Sequence, residues 1–400
     1  MTIERLAIDG GKPVRDSYLP YGRQWIDDDD AQAVLQVLKS DYLTTGPTIA
    51  QFEQEIATYV GAKYAVAFSS GTAALHGACF AAGIEEGDEV ITSPMTFVAT
   101  ANCILYQKGK PIFSDIDSQT YNIATKNIQS LITKKTKAII PVDFTGQPAE
   151  LEDIQKLAKQ HNLTVIEDAA HALGATYKGK KVGSISDMTM FSFHPVKHIT
   201  SGEGGVITTN NKEYYEKLVQ FRSHGITREK NKLNQYEGPW YYEMHFLGFN
   251  YRMTDLQAAL GLSQLKKIDQ FIQTRKRYVA KYQEAFRKIK EVIIPLDHQT
   301  NASCSSWHLY IIRLRVEQLK VGRKQIFEAL QKENIGVNVH YIPVYLQPYY
   351  QKLGYSKKQC PYAEKLYEEI ITLPLFPAMT MKDVNDVIKG VTKVISNYSR

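Results

Sequence analysis

The sequence predicts an α/β protein with a large domain built on a mainly parallel, buried sheet and a smaller C-terminal α+β domain. Two observations carry this. From Tyr64 to Thr209 short apolar runs alternate with helix-patterned segments, the signature of a sheet covered by helices on both faces. From Asp255 onward long helical patterning takes over and leads into a second, shorter set of strands and helices. With 400 residues the chain is long enough for two domains. The expected division is 1–255 for an N-terminal segment and the large domain, 256–289 for bridging helices, and 290–400 for the small domain.

The elements follow in order. Asp27–Lys39 opens with four aspartates, which favour the positive end of a helix dipole, and continues with Val34, Leu35, Val37 and Leu38. Pro47–Val60 reads as a helix with Pro47 at its start and Phe52, Ile56, Tyr59 and Val60 inward. The predicted strands are Tyr64–Phe68, Glu89–Thr92, Pro111–Ser114, Lys137–Val142, Leu163–Glu167, Met188–Phe193 and Val206–Thr209. The predicted intervening helices are Gly71–Ala82, Phe97–Tyr106 and Leu151–His161. Helical patterning then covers Asp255–Arg287. In the C-terminal part Leu309–Leu314 and Val337–Tyr341 read as strands and Arg323–Glu333 as a helix. Val384, Val387, Ile388, Val391, Val394 and Ile395 mark a final amphipathic helix.

Composition narrows the function classes. A hydrophobic fraction of 44% and a charged fraction of 22% suit a globular enzyme. The net charge of +6 is spread over clusters such as Lys178, Lys180, Lys181 and Arg228, Lys230, Lys232. Without an aromatic-basic motif this argues against nucleic-acid binding and fits an anionic small substrate such as a nucleotide diphosphate. Cys79, Cys103, Cys304 and Cys360 lie far apart without metal-ligand spacing, so free thiols in a reducing compartment are expected. No apolar stretch reaches bilayer length and the N-terminus lacks a signal core, so the expected location is cytoplasmic, without membrane association.

Four constellations can carry chemistry. In Ser192-Phe193-His194-Pro195-Val196-Lys197-His198, followed by Ile199–Gly205, a strand-like run delivers one lysine and closes in a glycine-rich turn. A single lysine is ordinarily a solvated surface group, but a desolvated one forms Schiff bases with carbonyl compounds, the aldehyde of pyridoxal phosphate among them. Ser69-Ser70-Gly71-Thr72 follows a strand and opens a helix, where amides and hydroxyls either cradle a phosphate or simply cap the helix. Glu167-Asp168-Ala169-Ala170-His171 ends an apolar strand at the edge where ligands sit in open sheets. An acid there pairs with a protonated pyridine nitrogen, caps a helix or binds a metal. Phe97, near a helix start, either stacks on a flat ring or joins the core. His171, His194 and His198 are too scattered for a zinc motif, and no metal site is expected.

Taken together, Ser70-Gly71-Thr72, Glu167–His171, the lysine segment and Gly248-Phe249-Asn250-Tyr251-Arg252-Met253-Thr254-Asp255 resemble the DegT-type sugar-nucleotide aminotransferases, fold-type-I enzymes that use pyridoxal 5′-phosphate. The resemblance runs from Asp41-Tyr42-Leu43-Thr44-Thr45-Gly46 into the C-terminal domain. It implies that Lys197 binds the cofactor covalently, that Asp168 pairs with the pyridine nitrogen, and that Phe97 covers the ring. Ser70, Gly71, Thr72 and Ser192 would hold the phosphate, with Gln147, His171 and His194 nearby. Asn250 would reach the phosphate of a neighbouring subunit, which implies a homodimer with shared active sites. Arg252 would meet the carboxylate of the donor, L-glutamate, or else be structural. Related dehydratases carry histidine in place of this lysine, so Lys197 favours amino transfer.

A finer resemblance, to the branch of the family that makes pseudaminic-acid precursors, rests on Pro239-Trp240-Tyr241-Tyr242-Glu243-Met244 and Ala259-Leu260-Gly261-Leu262-Ser263-Gln264-Leu265. It implies amination of the C4 ketone of a UDP-linked 4-keto-6-deoxy N-acetylhexosamine, with Tyr21, Thr44, His340 and Tyr341 touching the nucleotide sugar. Asp41 departs from that branch, which can carry lysine there. The alternatives are an aminotransferase for a 3-keto or a dTDP- or GDP-linked sugar, a lyase or desulfurase of the same fold, and a cofactor-binding regulator. No cysteine in a recognisable catalytic loop and no helix-turn-helix extension support the last two.

Overall fold

The computed structural model describes residues 4–296 and 303–400. Helix α1 (Asp28–Leu38) starts at a capping box, in which Asp27 and Asp30 each accept the other's backbone N–H. Helix α2 (Pro47–Val60) starts on Pro47, and Asp255 accepts the N–H groups of Gly46 at 2.8 Å and Thr48 at 3.0 Å. The alternating part follows as β1 (Tyr64–Phe68), α3 (Gly71–Ala81), β2 (Glu89–Thr92), α4 (Ala99–Tyr106), β3 (Lys110–Phe113), α5 (Thr125–Leu131), β4 (Thr136–Ile140), α6 (Leu151–His161) and β5 (Thr164–Asp168). A small hairpin, β6 (Thr176–Tyr177) with β7 (Lys180–Lys181), precedes β8 (Met188–Ser192), β9 (Gly205–Thr209) and α7 (Lys212–Phe221).

The large sheet has the strand order β1-β9-β8-β5-β4-β2-β3. All of its neighbours are parallel except β9, which runs antiparallel to both β1 and β8. The cause is local. Parallel neighbours need a crossover, ordinarily a helix, whereas the lysine segment between β8 and β9 is turns and bends. Helices cover both faces. Val66, Ile140, Ile166 and Met190 pack with Ala74, Ile104 and Leu218 on one side; Ile91, Ile139 and Val165 pack with Leu151 and Ile154 on the other.

A short strand pair, β10 (Ile226–Thr227) with β11 (Glu243–Met244), leads to α8 (Asp255–Leu265) and α9 (Ile268–Phe286). The C-terminal domain holds β12 (Val292–Ile293), β13 (Tyr310–Leu314), α10 (Arg323–Lys332), α11 (Pro348–Lys352), α12 (Pro361–Glu369), β14 (Ile370–Leu373) and α13 (Met381–Tyr398). Its antiparallel sheet, β12-β13-β14, packs on α10 and α13.

Some elements differ from the sequence reading. The helix expected from Phe97 begins at Ala99, which leaves the Phe97 ring outside it. The helical stretch after Asp255 is two helices, separated at Lys266 and Lys267. Val337–Tyr341 is not a strand: Asn338 alone pairs across to Thr372, and His340 donates to or accepts from the Thr372 hydroxyl at 2.8 Å instead of continuing a ladder. Leu6 and Leu19 of the N-terminal segment pack into the core of the C-terminal domain.

A buried ion pair fixes that segment. Glu333 and Lys393, 0% and 4% exposed at their side chains, meet at 2.9 Å, and Glu333 also accepts the N–H groups of Ala7 and Val14. Removing one partner of such a pair leaves an uncompensated buried charge. Glu333→Ala is therefore expected to destabilise the fold by about 3–5 kcal/mol, whereas Glu333→Leu with Lys393→Met should lose less. Urea-unfolding midpoints of the two variants check this.

Candidate active site

The site grows from the C-terminal ends of β1, β5 and β8, the edge at which open α/β sheets place ligands. After β1 the chain turns into α3, where the Ser70 hydroxyl accepts the Ala73 N–H at 3.1 Å and so caps the helix. The following amides, at Gly71 and Thr72, belong to the first turn, which an α-helix leaves without carbonyl partners of its own. They face Ser192 at the end of β8: a Cβ on Gly71 would lie 3.2 Å from the Ser192 Cβ. The backbone carbonyl of Tyr251 accepts the Ser69 N–H at 2.7 Å, which ties the Gly248–Asp255 motif to this turn.

At the end of β5, Asp168 is 4% exposed. Its Oδ2 accepts the Thr100 hydroxyl at 2.6 Å, and its Oδ1 accepts the Ala170 N–H at 3.1 Å. Thr100 is itself 2.7 Å from the hydroxyl of Thr96, in the loop before α4, so a short hydroxyl chain runs from the cavity wall to the acid. Burial raises the Asp168 pKa, opposed by these two hydrogen bonds and by the charge of Lys197.

Lys197 rises from a turn in which its own N–H donates to the His194 carbonyl at 2.9 Å. Thr200 and Ser201 bond back to the Phe193 carbonyl and fix the base of the loop. Desolvation lowers the amine to about 8, with Asp168 pulling in the other direction.

The C-terminal domain closes the cavity. Leu19 pairs beside Ile335, and the Leu375 N–H donates to the Tyr21 carbonyl, so the N-terminal segment places Tyr21 beside His340 with ring centroids 5.3 Å apart. Tyr341 reaches the His171 Nε2 at 3.0 Å. His171 in turn lies 4.4 Å, centroid to centroid, from His308. Burial and the Lys197 charge hold His340 at about 3, and burial is the main cause that holds His171, His198 and His308 far below the usual imidazole range. All four rings are thus neutral at physiological pH.

The resulting cavity measures about 560 Å³. It gathers Tyr21, Ser70, Gly71, Thr72, Phe97, Asp168, His171, Ser192, His194, Lys197, His340 and Tyr341, all singled out from the sequence. It does not gather Gln147, Thr44, Asn250 or Arg252. Gln147 lines a separate small cavity with Tyr121 and Trp307, because Asn122 anchors the Gln147 and Pro148 carbonyls there. Thr44 and Asn250 are exposed, and Arg252 is partly so; Thr44 pairs with Thr254 and Asn250 with Ser223. The sequence reading missed Thr96, Thr100 and His308. The threonines carry a weak signal, two hydroxyls four residues apart across the expected start of a helix, while nothing around His308 marks it before the domains are packed together. Among the described residues no group of three or more His, Cys, Asp or Glu is placed to hold a metal ion, and no helix is long and apolar enough to cross a membrane.

The model of the DegT/DnrJ/EryC1/StrS aminotransferase family matches residues 24–392. This chain belongs to that family. It is 43% identical to the spore coat polysaccharide biosynthesis protein SpsC of Bacillus subtilis, over 95% of this chain and 98% of that protein. It is 39% identical to the UDP-4-amino-4,6-dideoxy-N-acetyl-β-L-altrosamine transaminase of Campylobacter jejuni, over 96% of this chain and 99% of that protein. Among solved structures, Helicobacter pylori PseC, an aminotransferase of pseudaminic-acid biosynthesis, superposes with a TM-score of 0.89 at 35% identity, covering 95% of this chain and 100% of that one. A sugar aminotransferase from Streptococcus pneumoniae, solved in its PLP form, gives 0.88 at 31% identity, covering 95% and 99%.

The aminotransferase is therefore a fold-type-I enzyme that uses pyridoxal 5′-phosphate, and its cavity suits that group. The α3 N-terminus offers free amides and a favourable dipole to a phosphate, and the buried Asp168 offers a carboxylate to a ring N–H⁺. A half-buried amine with a lowered pKa stands between them. Because the neutral amine is the nucleophile, loading of the apoenzyme should accelerate as pH rises, about tenfold per unit, and level off above about 8. Stopped-flow absorbance of cofactor loading measures this. An amine left at its ordinary value of 10.5 would instead keep accelerating to that pH.

Proposed function

We propose that this aminotransferase moves an amino group from L-glutamate to the C4 ketone of a UDP-linked 4-keto-6-deoxy N-acetylhexosamine, a pseudaminic-acid precursor. The observation that carries the chemistry is Lys197, desolvated and facing Asp168 across a cavity roofed by a second domain. The full-length similarity to the Campylobacter transaminase and to PseC supports the substrate.

When bound, the cofactor supplies the aldehyde that takes the donor's amino group and passes it to the ketone. The residues of the chain provide the rest. Lys197, whose amine is lowered to about 8 by desolvation, would take the proton from the donor carbon and hold it for return. Asp168, oriented by Thr100 and the Ala170 N–H, holds the ring nitrogen in its protonated form. Gly71, Thr72 and Ser192 would hold the phosphate, and Phe97, 59% exposed at the cavity mouth, would cover the ring. Tyr21, His340 and Tyr341 stand where the sugar nucleotide enters, and the neutral imidazole of His340 can donate or accept at a sugar hydroxyl.

The exposed Thr44, Asn250 and Arg252 find a use if two copies pair, with each Asn250 reaching the partner's phosphate site and each Arg252 meeting the glutamate carboxylate. The exposed Trp240, Met244 and Leu247, respectively 69%, 61% and 77% accessible, border the same surface stretch and favour a homodimer. The similarity to SpsC favours a second reading, in which the acceptor is another nucleotide-linked keto sugar of polysaccharide synthesis.

Three measurements follow. Lys197→Arg should abolish turnover while leaving the circular dichroism spectrum unchanged; near-normal amino transfer by that variant would overturn the assignment. Mass spectrometry of products from UDP-, dTDP- and GDP-4-keto sugars with glutamate should show amination of the UDP-N-acetyl sugar first. Amination of a different member of the panel selects the second reading. Mixing Asn250→Ala with Lys197→Ala should restore about a quarter of wild-type activity, because half of the dimers are hybrids and each hybrid holds one intact site. No recovery would place Asn250 outside a shared site.

A further inference from the structure

A second acid cluster lies directly behind the site and has no part in the chemistry described above. Side chains alternate along β5, so Asp168 faces α4 with Ile166, while Glu167 faces α6 with Val165. On that far face Glu167 meets Asp143, which follows β4. Both are 0% exposed. Neither has a cationic partner among the described residues. Asp143 Oδ1 accepts the Ala149 N–H at 2.9 Å, and Glu167 Oε2 accepts the Thr189 hydroxyl at 2.9 Å, with the Ser186 hydroxyl alongside. The other two oxygens, Asp143 Oδ2 and Glu167 Oε1, have no hydrogen-bond donor. The backbone sets the two carboxyls side by side: Val142 pairs with Asp168, the Asp143 N–H donates to the Asp168 carbonyl at 3.0 Å, and the Asp168 N–H donates to the Pro141 carbonyl at 2.9 Å, which puts Asp143 and Glu167 on the same far face of the sheet.

Two carboxylates buried together without a cation repel, and each bare oxygen would forgo a hydrogen bond in a low-dielectric setting. One proton placed between them removes both penalties, as in other acid pairs that share a site. The donors decide where it sits. Each carboxyl accepts one hydrogen bond, Glu167 from the Thr189 hydroxyl and Asp143 from the Ala149 amide, and a hydroxyl so placed beside Glu167 leaves the more deeply penalised Asp143 as the acid and Glu167 as the carboxylate. Burial and the neighbouring carboxylate push Asp143 well up, in agreement with this order.

We propose that Asp143 and Glu167 form a proton-sharing pair whose single negative charge, one residue behind Asp168, raises the affinity of Asp168 for the ring N–H⁺ of the cofactor. They are positioning residues and touch neither cofactor nor substrate. The ionisable group they meet is Asp168, on the opposite face of β5, and through it Lys197. From β8 and the turn before it come the hydroxyls of Thr189 and Ser186, and from the segment before α6 the Ala149 N–H. The effect on Asp168 rests on the cofactor assignment, whereas the shared proton belongs to the protein alone.

Infrared spectroscopy of the apoenzyme at neutral pH tests the proton directly. A carboxylic-acid C=O band is expected in the wild type and should vanish in Asp143→Asn, whose amide replaces the donated hydrogen bond. No such band, or one that survives in Asp143→Asn, overturns the shared proton. The charge is tested with the double variant Asp143→Asn, Glu167→Gln, which keeps both shapes and removes the charge. With ¹⁵N-labelled pyridoxal phosphate bound, its ring nitrogen should lose its proton about one pH unit lower than in Asp143→Asn, which retains the Glu167 charge. Equal ring-nitrogen titrations in the two variants overturn the electrostatic role. Should the double variant not fold, the apolar pair Asp143→Leu, Glu167→Met, which also removes the charge, takes its place in the same ring-nitrogen titration.

Discussion

A carboxyl group held out of water at the end of a β-strand is the constraint around which this site is arranged. Asp168 has two hydrogen-bond donors, one from α4 and one from its own turn, and these only partly offset its desolvation. Lys197 is desolvated in the opposite sense, and burial drives its amine toward the neutral form. Each group is poorly satisfied by the protein alone. A ligand with a protonated ring nitrogen at one end and an aldehyde nearby relieves both, since it gives Asp168 a cation and gives the amine a covalent partner. Two poorly satisfied ionisable groups facing one cavity thus suit the apoprotein to such a group.

The roof depends on an equally specific arrangement. Tyr21 and His340 are more than three hundred positions apart, yet both are set by one small set of backbone bonds: Leu19 to Asn334 and Gly336, and Tyr21 to Leu375. The same N-terminal segment is anchored at the far side of the domain by the buried Glu333–Lys393 pair. A defect in the anchor can therefore reach the cavity without touching any residue that lines it. The buried imidazoles add a polar wall without adding charge, which leaves Asp168 and Lys197 to dominate the local field.

What could be read from the sequence was what depends on neighbours in the chain. The strand-to-helix turn at Ser70, the acid at the end of β5 and the lysine after β8 announce themselves because polar residues interrupt apolar runs at element ends. The phosphate and capping readings of Ser70 turn out to be compatible: its hydroxyl caps α3 while the next two residues supply the free amides. What could not be read depends on packing between distant elements. His308 and the Asp143–Glu167 contact arise only after β13 and β4 are brought against the site, and Gln147 is diverted by two hydrogen bonds from Asn122. Val337–Tyr341 has a strand-like composition, but its polar side chains are engaged at the cavity wall, with His340 on Thr372 and Tyr341 on His171.

The one departure from a parallel sheet has the same origin as the chemistry. A helical crossover after β8 would carry the chain across the sheet face and away from the strand ends. The turn-rich lysine segment instead leaves Lys197 at those ends and sends β9 straight back between β8 and β1. β9 begins at Gly205, and a Cβ there would lie 2.5 Å from the Ser70 carbonyl oxygen and 2.7 Å from the Gly71 Cα. Only a residue without a side chain lets the Ser70–Gly71 turn settle against the start of β9. The glycines that close the lysine segment are thus the residues that bring its amine and the helix amides of α3 to one cavity. Strand direction, glycine placement and the position of Lys197 are consequences of a single tight return of the chain.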